Sequence, residues 1–169
     1  MPVRIVSKPR ASSAQRAFIL DGLVAYNRAQ TGNGPYRPVC LFAENASGKV
    51  VGGLLGFIWG RWLHVNIFWI SEHMRGQDVG SKLLAMAEAK ARAAGCSGSS
   101  LDTFSFQARP FYEKQGYQVF GTLKGFPAGH TQYFLAKRFG AAPRKKVAKK
   151  RTNKSPMLRS AKGTSRGRG

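Results

Sequence analysis

One stretch constrains this chain more than any other. An apolar, strand-like run ends at Ile70, a short polar turn follows, and Arg75-Gly76-Gln77-Asp78-Val79-Gly80-Ser81 opens a helix that continues to about Ala94. Gly95 ends that helix and Ser99 to Phe104 reads as another strand. A helix between two strands is a crossover, so the two strands are expected to lie parallel in one sheet. The turn itself has the make-up of a phosphate cradle. Its glycines let backbone approach a ligand, the first turn of the helix presents N–H groups without acceptors, and Arg75 adds a cation.

The elements around this unit follow from spacing. Val3 to Val6 alternates and predicts a short strand. Ser12 or Ser13 can cap a helix over 14–30, with Ala14, Ala17, Phe18, Leu20 and Val24 near helical spacing and Arg16 and Arg28 toward solvent. Thr31-Gly32-Asn33-Gly34-Pro35 stops it. Val39–Ala43, Val50–Trp59 and Trp62–Ile70 read as three strands joined by short turns, an antiparallel meander, and Gly52, Gly53 and Gly56 predict a bulge or a close approach. In the long helix, Val79, Leu83, Leu84, Met86, Ala87 and Ala91 are expected inward, and Lys82, Glu88, Lys90 and Arg92 outward. A short helix at 107–114 and strands at 117–123 and 130–138 complete the chain. The fold class is mixed α/β, a central, mostly antiparallel sheet of about seven strands flanked by helices.

Charge divides the chain. Of its 28 Lys/Arg residues, eleven lie in 141–169 with no acidic residue, and the remaining 17 against 7 acidic residues give the body a net charge of +10. Residues 1–140 are therefore read as one domain and 141–169 as a disordered Lys/Arg-rich tail, able to contact nucleic-acid phosphates nonspecifically. No apolar leader or membrane-length run is visible, and Cys40 and Cys96 have no metal-binding or disulfide spacing, so a cytoplasmic location, no membrane contact and no metal are expected. The sequence does not show the oligomeric state.

Two motifs carry a resemblance. Arg75-Gly76-Gln77-Asp78-Val79-Gly80 is similar to the acetyl-CoA motif Gln/Arg-x-x-Gly-x-Gly/Ala, and Phe111-Tyr112-Glu113-Lys114-Gln115-Gly116-Tyr117 is similar to an aromatic pair followed by Glu-Lys-x-Gly-aromatic. In this order, separated by a helix and a strand, they resemble the GNAT superfamily of N-acetyltransferases over residues 3–138. The chain departs from the family pattern at Asp78, where glycine is usual, and at Ser105, where asparagine is common.

The resemblance implies an N-acetyltransferase that moves the acetyl group of acetyl-CoA to a primary amine of a small molecule or protein, by direct attack in a ternary complex. It assigns cofactor contacts to Ile70 and Ser71, whose main-chain groups would pair with the pantetheine arm, to Arg75, Gly76, Gln77, Asp78, Val79, Gly80 and Ser81 around the pyrophosphate, and to Ser105. Asp78 tolerates a left-handed conformation and could cap the helix. Tyr112 is the expected proton donor to the leaving thiolate. Glu72 and Asp102 are candidate bases, with His64 as a third. Tyr36, Phe126 and His130 could line the acceptor side. A different class of function stands beside this one: a basic, nucleic-acid-associated protein whose acetyltransferase-like domain is degenerate.

Overall fold

The structure, a computed structural model, describes residues 3–32, 34 and 36–140. Six strands form one sheet: β1 (Arg37–Glu44), β2 (Val50–Trp59), β3 (Trp62–Ile70), β4 (Gly98–Phe104), β5 (Gln118–Lys124) and β6 (Thr131–Arg138), in the order β1-β2-β3-β4-β6-β5. The helices are α1 (Ser13–Thr31), α2 (Val79–Ala93) and α3 (Arg109–Lys114). Every strand pair is antiparallel except β3–β4, the parallel pair that α2 connects.

The expected seventh strand is not formed. Residues 3–6 belong to no strand, with Val3 90% and Ile5 95% exposed, because a brief alternation makes a strand only beside a partner. The proposed tail, 141–169, lies outside the described residues.

The core sits between one sheet face and α2. Leu54, Leu63 and Leu135 from the sheet are fully buried, and Leu84, Ala87 and Ala91 from α2 meet them at i, i+3 and i+7 spacing. Two residues of α2 depart from the expected pattern. Met86 is exposed, and Glu88 is only 4% exposed because it shares the inward stripe with Leu84 and Ala91. Its carboxylate is paired there, with Lys137 Nζ on β6 at 2.8 Å and Arg92 at 3.4 Å.

The glycines of β2 mark a close approach and a bulge. A Cβ at Gly56 would run into the His64 carbonyl, and the β2–β3 register shifts at that point. Leu55 faces Ile67 while Gly56 faces Val65, so Asn66 is the extra residue. At the same place the parallel pairing of β3 with β4 stops, since it runs only from Trp62–Gly98 to Val65–Leu101. Beyond it the two strands part.

Candidate active site

The parting of β3 and β4 opens a cleft of about 950 Å³. Its walls are β3 from Val65 to Ile70, β4 from Leu101 to Phe104, the turn and first residues of α2, and the start of α3 with Phe111 and Tyr112.

At one end stands the glycine turn. Gly76 has φ 75° and Asp78 φ 58°, both left-handed, and these two reversals carry the chain from a 3-10 turn (Glu72–Met74) into α2. The first helical bond runs from Lys82 N–H to the Asp78 carbonyl, so the N–H groups of Val79, Gly80 and Ser81 precede the helical ladder. The Asp78 side chain makes no capping bond. A capping side chain reaches its N–H target from an extended backbone, and the left-handed turn removes that geometry. Arg75 Nε donates to the Ile70 carbonyl at 3.1 Å, which fixes the guanidinium beside the end of β3.

Tyr112 stands on α3, is 8% exposed and packs edge-on with Phe111 and Tyr117. Burial and then the charge of Asp102 push its phenol up to about 12. Asp102, exposed on β4, accepts a 2.7 Å hydrogen bond from Gln132 Nε2 on β6. Thus Ile70, Arg75, Gly76, Asp78, Val79, Gly80, Ser81, Asp102 and Tyr112 all line one cleft, drawn from positions up to 42 residues apart.

Other expected residues lie elsewhere. Glu72 is exposed in the 3-10 turn and does not line the cleft. Gln77 turns away too, its amide donating to the His73 carbonyl at 2.9 Å. Ser71 is buried and its main chain is spent: N–H on the Val51 carbonyl, C=O on Met74 N–H. Since Arg75 also occupies the Ile70 carbonyl, the main-chain edge left open lies earlier in β3, from Asn66 onward. Ser105 is exposed and bonded to His130 Nδ1 at 3.2 Å, outside the cleft. His64 bonds Ser100 Oγ at 2.9 Å and stacks on Phe57, and burial lowers its pKa. It lines no part of the cleft, nor does Tyr36, which packs on Phe57 and Trp59.

Sequence reasoning missed several walls of the site. Asn66 is the bulge residue, signalled only by an amide in the apolar run Val65-Asn66-Ile67-Phe68. Gln107 lines the cleft where Ser105 was expected, its carbonyl accepting from Thr103 Oγ1 and Phe104 N–H, each at 3.0 Å. Phe104 and Phe106 stack at 5.3 Å at the rim; Phe126 and His130, expected on the acceptor side, pack against that pair at 5.9 and 4.8 Å without lining the cleft themselves. Among the described residues no cluster of His, Cys, Asp and Glu could hold a metal, and no helix is long and apolar enough to cross a membrane.

Known proteins resemble this chain in sequence and fold. The model of the acetyltransferase (GNAT) family matches residues 12–117. The chain is 38% identical to acetyltransferase Atu2258 of Agrobacterium fabrum over 135 residues, which is 80% of this chain and 98% of that one. It is 40% identical to blasticidin-S acetyltransferase of Streptomyces morookaense over 105 residues, 60% of this chain and 77% of that one. A crystal structure of an Agrobacterium tumefaciens protein superposes with a TM-score of 0.76 at 37% identity, covering 81% of this chain and all of that one. With both motifs in one cleft, a mixed sheet that parts beside it, and these relatives, the chain belongs to the acetyltransferase (GNAT) family.

Proposed function

We propose that this protein transfers the acetyl group of acetyl-CoA to a primary amine of a small molecule or protein, by direct attack in a ternary complex. The observation that carries the reading is that the glycine turn 75–81 and Tyr112 open into the same cleft. The residues fit a pyrophosphate-bearing carrier. A Cβ at Gly76 would meet nothing within 4 Å, so this position is glycine for its left-handed φ and leaves open space. The N–H groups at the start of α2 supply donors, and Arg75, with Nε already fixed, keeps its outer nitrogens for phosphate oxygens.

Bound acetyl-CoA supplies an activated thioester. The edge of β3 from Asn66 to Trp69, which β4 leaves unpaired, offers main-chain groups to an extended amide arm. Tyr112, at about 12, is protonated across the physiological range. Passing its proton to a thiolate of ordinary pKa ~8.5 would be uphill by roughly three units. Tyr112 therefore acts as a hydrogen-bond donor to the departing sulfur. The acceptor attacks as its neutral amine. As the C–N bond forms and the C–S bond breaks, Asp102, held by Gln132, would take the proton that the nitrogen loses and return it through solvent to the thiolate, so that one proton leaves the amine and one reaches the thiol.

Residues 1–140 form the catalytic unit in this reading, and 141–169 is an extension that follows polyanions. Calorimetric titration of the full chain with acetyl-CoA at low salt should show binding. Thiol release should follow with at least one amine from a panel holding blasticidin S, the compound in the Streptomyces relative's name, and a lysine peptide. No binding sinks the proposal. The second reading rests on the eleven cations of 141–169 and on the Asp78 carboxylate at the cradle. It stands if acetylation is absent with and without the tail while salt-sensitive nucleic-acid binding goes with it.

A further inference from the structure

Helix α1 is complete at both ends. Ser12 forms a reciprocal capping box with Gln15, and Gly32 closes the other end at φ 64°. Yet none of its 19 residues is buried. Phe18 is 81% exposed, Ile19 68%, Leu23 54% and Tyr26 64%. A free helix of this length is marginal in water, and helices in proteins draw most of their stability from packing an apolar face. Here apolar residues occupy more than one side: Ile19, Leu23 and Tyr26 form one stripe, Leu20 and Val24 lie beside it, and Phe18 lies across. A helix of that make-up is one that becomes covered. The family match begins at Ser12, the cap of α1, so the helix is part of the domain and not an addition to it.

The sheet has the complementary defect. Helix α2 covers one face, while the other is open where β1, β2 and β3 adjoin. The register places Phe42, Gly53 and Trp69 in one row and Cys40, Leu55 and Ile67 in the next. Phe42, Ile67 and Trp69 are each more than half exposed. A continuous apolar face of this kind marks an interaction site. Ile67 and Trp69 also line the cleft, so whatever covers this face forms a wall of the site.

We propose that two copies of this chain exchange α1: each helix lies on the open sheet face of the other copy, over Phe42, Ile67 and Trp69, and completes the rim of its cleft. The occupant is a second copy because each chain carries both halves and satisfies neither by itself. One twofold axis covers both helices and both faces, with no surface left to propagate. Helix α1 leads into β1, the edge strand, so it leaves the sheet at its border. Two such helices and two such faces together would bury on the order of 2,000 Å², in the range of stable homodimers. The part about the cleft rests on the acetyltransferase reading above; the exchange itself does not.

The full chain should run at dimer mass in light scattering. Leu20→Asp with Leu23→Asp, on residues that are exposed and so leave the body folded, should weaken dimerisation by at least ~100-fold. The same variant should raise the acceptor KM while acetyl-CoA binding stays within about twofold. A monomer at all concentrations, or a dimer that ignores the two substitutions, overturns the proposal. A second measurement separates exchange from a helix folded back on its own sheet. In a Cys40→Ser, Cys96→Ser background, Ile19→Cys in one copy is mixed with Phe42→Cys in the other and treated with a short bismaleimide. Cross-linked heterodimer is expected. A cross-link confined to a single chain carrying both cysteines overturns the exchange. Because these readouts need no turnover, a dimer without acetylation would remove only the proposed activity.

Discussion

Asp102 and Tyr112 face one cleft from different elements, and the Asp102 charge reinforces burial in holding the Tyr112 proton, with the phenol pushed up to about 12. A raised phenol keeps its donor at every pH below that value. Tyr112→Phe should therefore lower kcat by about 10- to 100-fold, leave the acetyl-CoA KM within about twofold, and leave the shape of the rate profile between about pH 6 and 10 unchanged. A basic limb near pH 10 in the parent that vanishes in the variant would mark an ordinary phenol instead.

Asp102→Asn separates charge from packing. The asparagine carbonyl can still accept from Gln132, so the melting temperature should stay put. Turnover should fall about tenfold or more if the carboxylate takes the acceptor's proton, and the Tyr112 phenol should titrate lower than in the parent. Unchanged kcat/KM would take Asp102 out of the reaction.

The two glycines of the cradle should behave oppositely. Gly76 is left-handed, so Gly76→Ala should cost roughly 1–2 kcal/mol of stability. At Gly80 a Cβ would sit 3.5 Å from the Phe111 ring, an ordinary contact, inside the first turn of α2. Gly80→Ala should therefore keep or raise the melting temperature while weakening acetyl-CoA binding in calorimetry. Equal loss of stability and binding in both variants would mean that the turn matters only as structure.

Glu88 ties α2 to β6. With its carboxylate buried and Lys137 at 2.8 Å, Glu88→Gln leaves an unpaired ammonium that is itself largely covered. The expected loss is about 3 kcal/mol, or roughly 6–12 °C in thermal melting for a domain of this size. Glu88→Gln with Lys137→Met should recover much of it. If the single variant melts like the parent, the pair is solvated in solution.

Where the sequence was readable, local chemistry bounded an element on both sides. Strands β2 and β3 match expectation to the residue because the turn at 44–49 and Gly60-Arg61 bracket them. The cradle was readable because turn and helix start are contiguous. Non-local facts were not. Glu88 looks like a solvated helix residue until Lys137, 49 positions later, is placed beside it. Ser105 sits at the expected position, but the tight turn after β4 ties it to His130 and brings Gln107 in instead. The alternation at Val3–Val6 lacks a neighbouring strand, which no local pattern reveals.

Asn66 has a consequence for how this chain can change. A strand offers side chains to its two faces by parity, and an extra residue turns over everything downstream unless it bulges out of the ladder, as Asn66 does. Deleting Asn66 would therefore let Ile67 follow Val65 directly: Ile67 and Trp69 would keep the outward face, Phe68 and Ile70 the α2 face, and only the bulge beside the point where β3 and β4 part would be lost. This strand can shed one residue at that place without exchanging its faces, whereas a second deletion downstream would turn Phe68 and Ile70 away from the core.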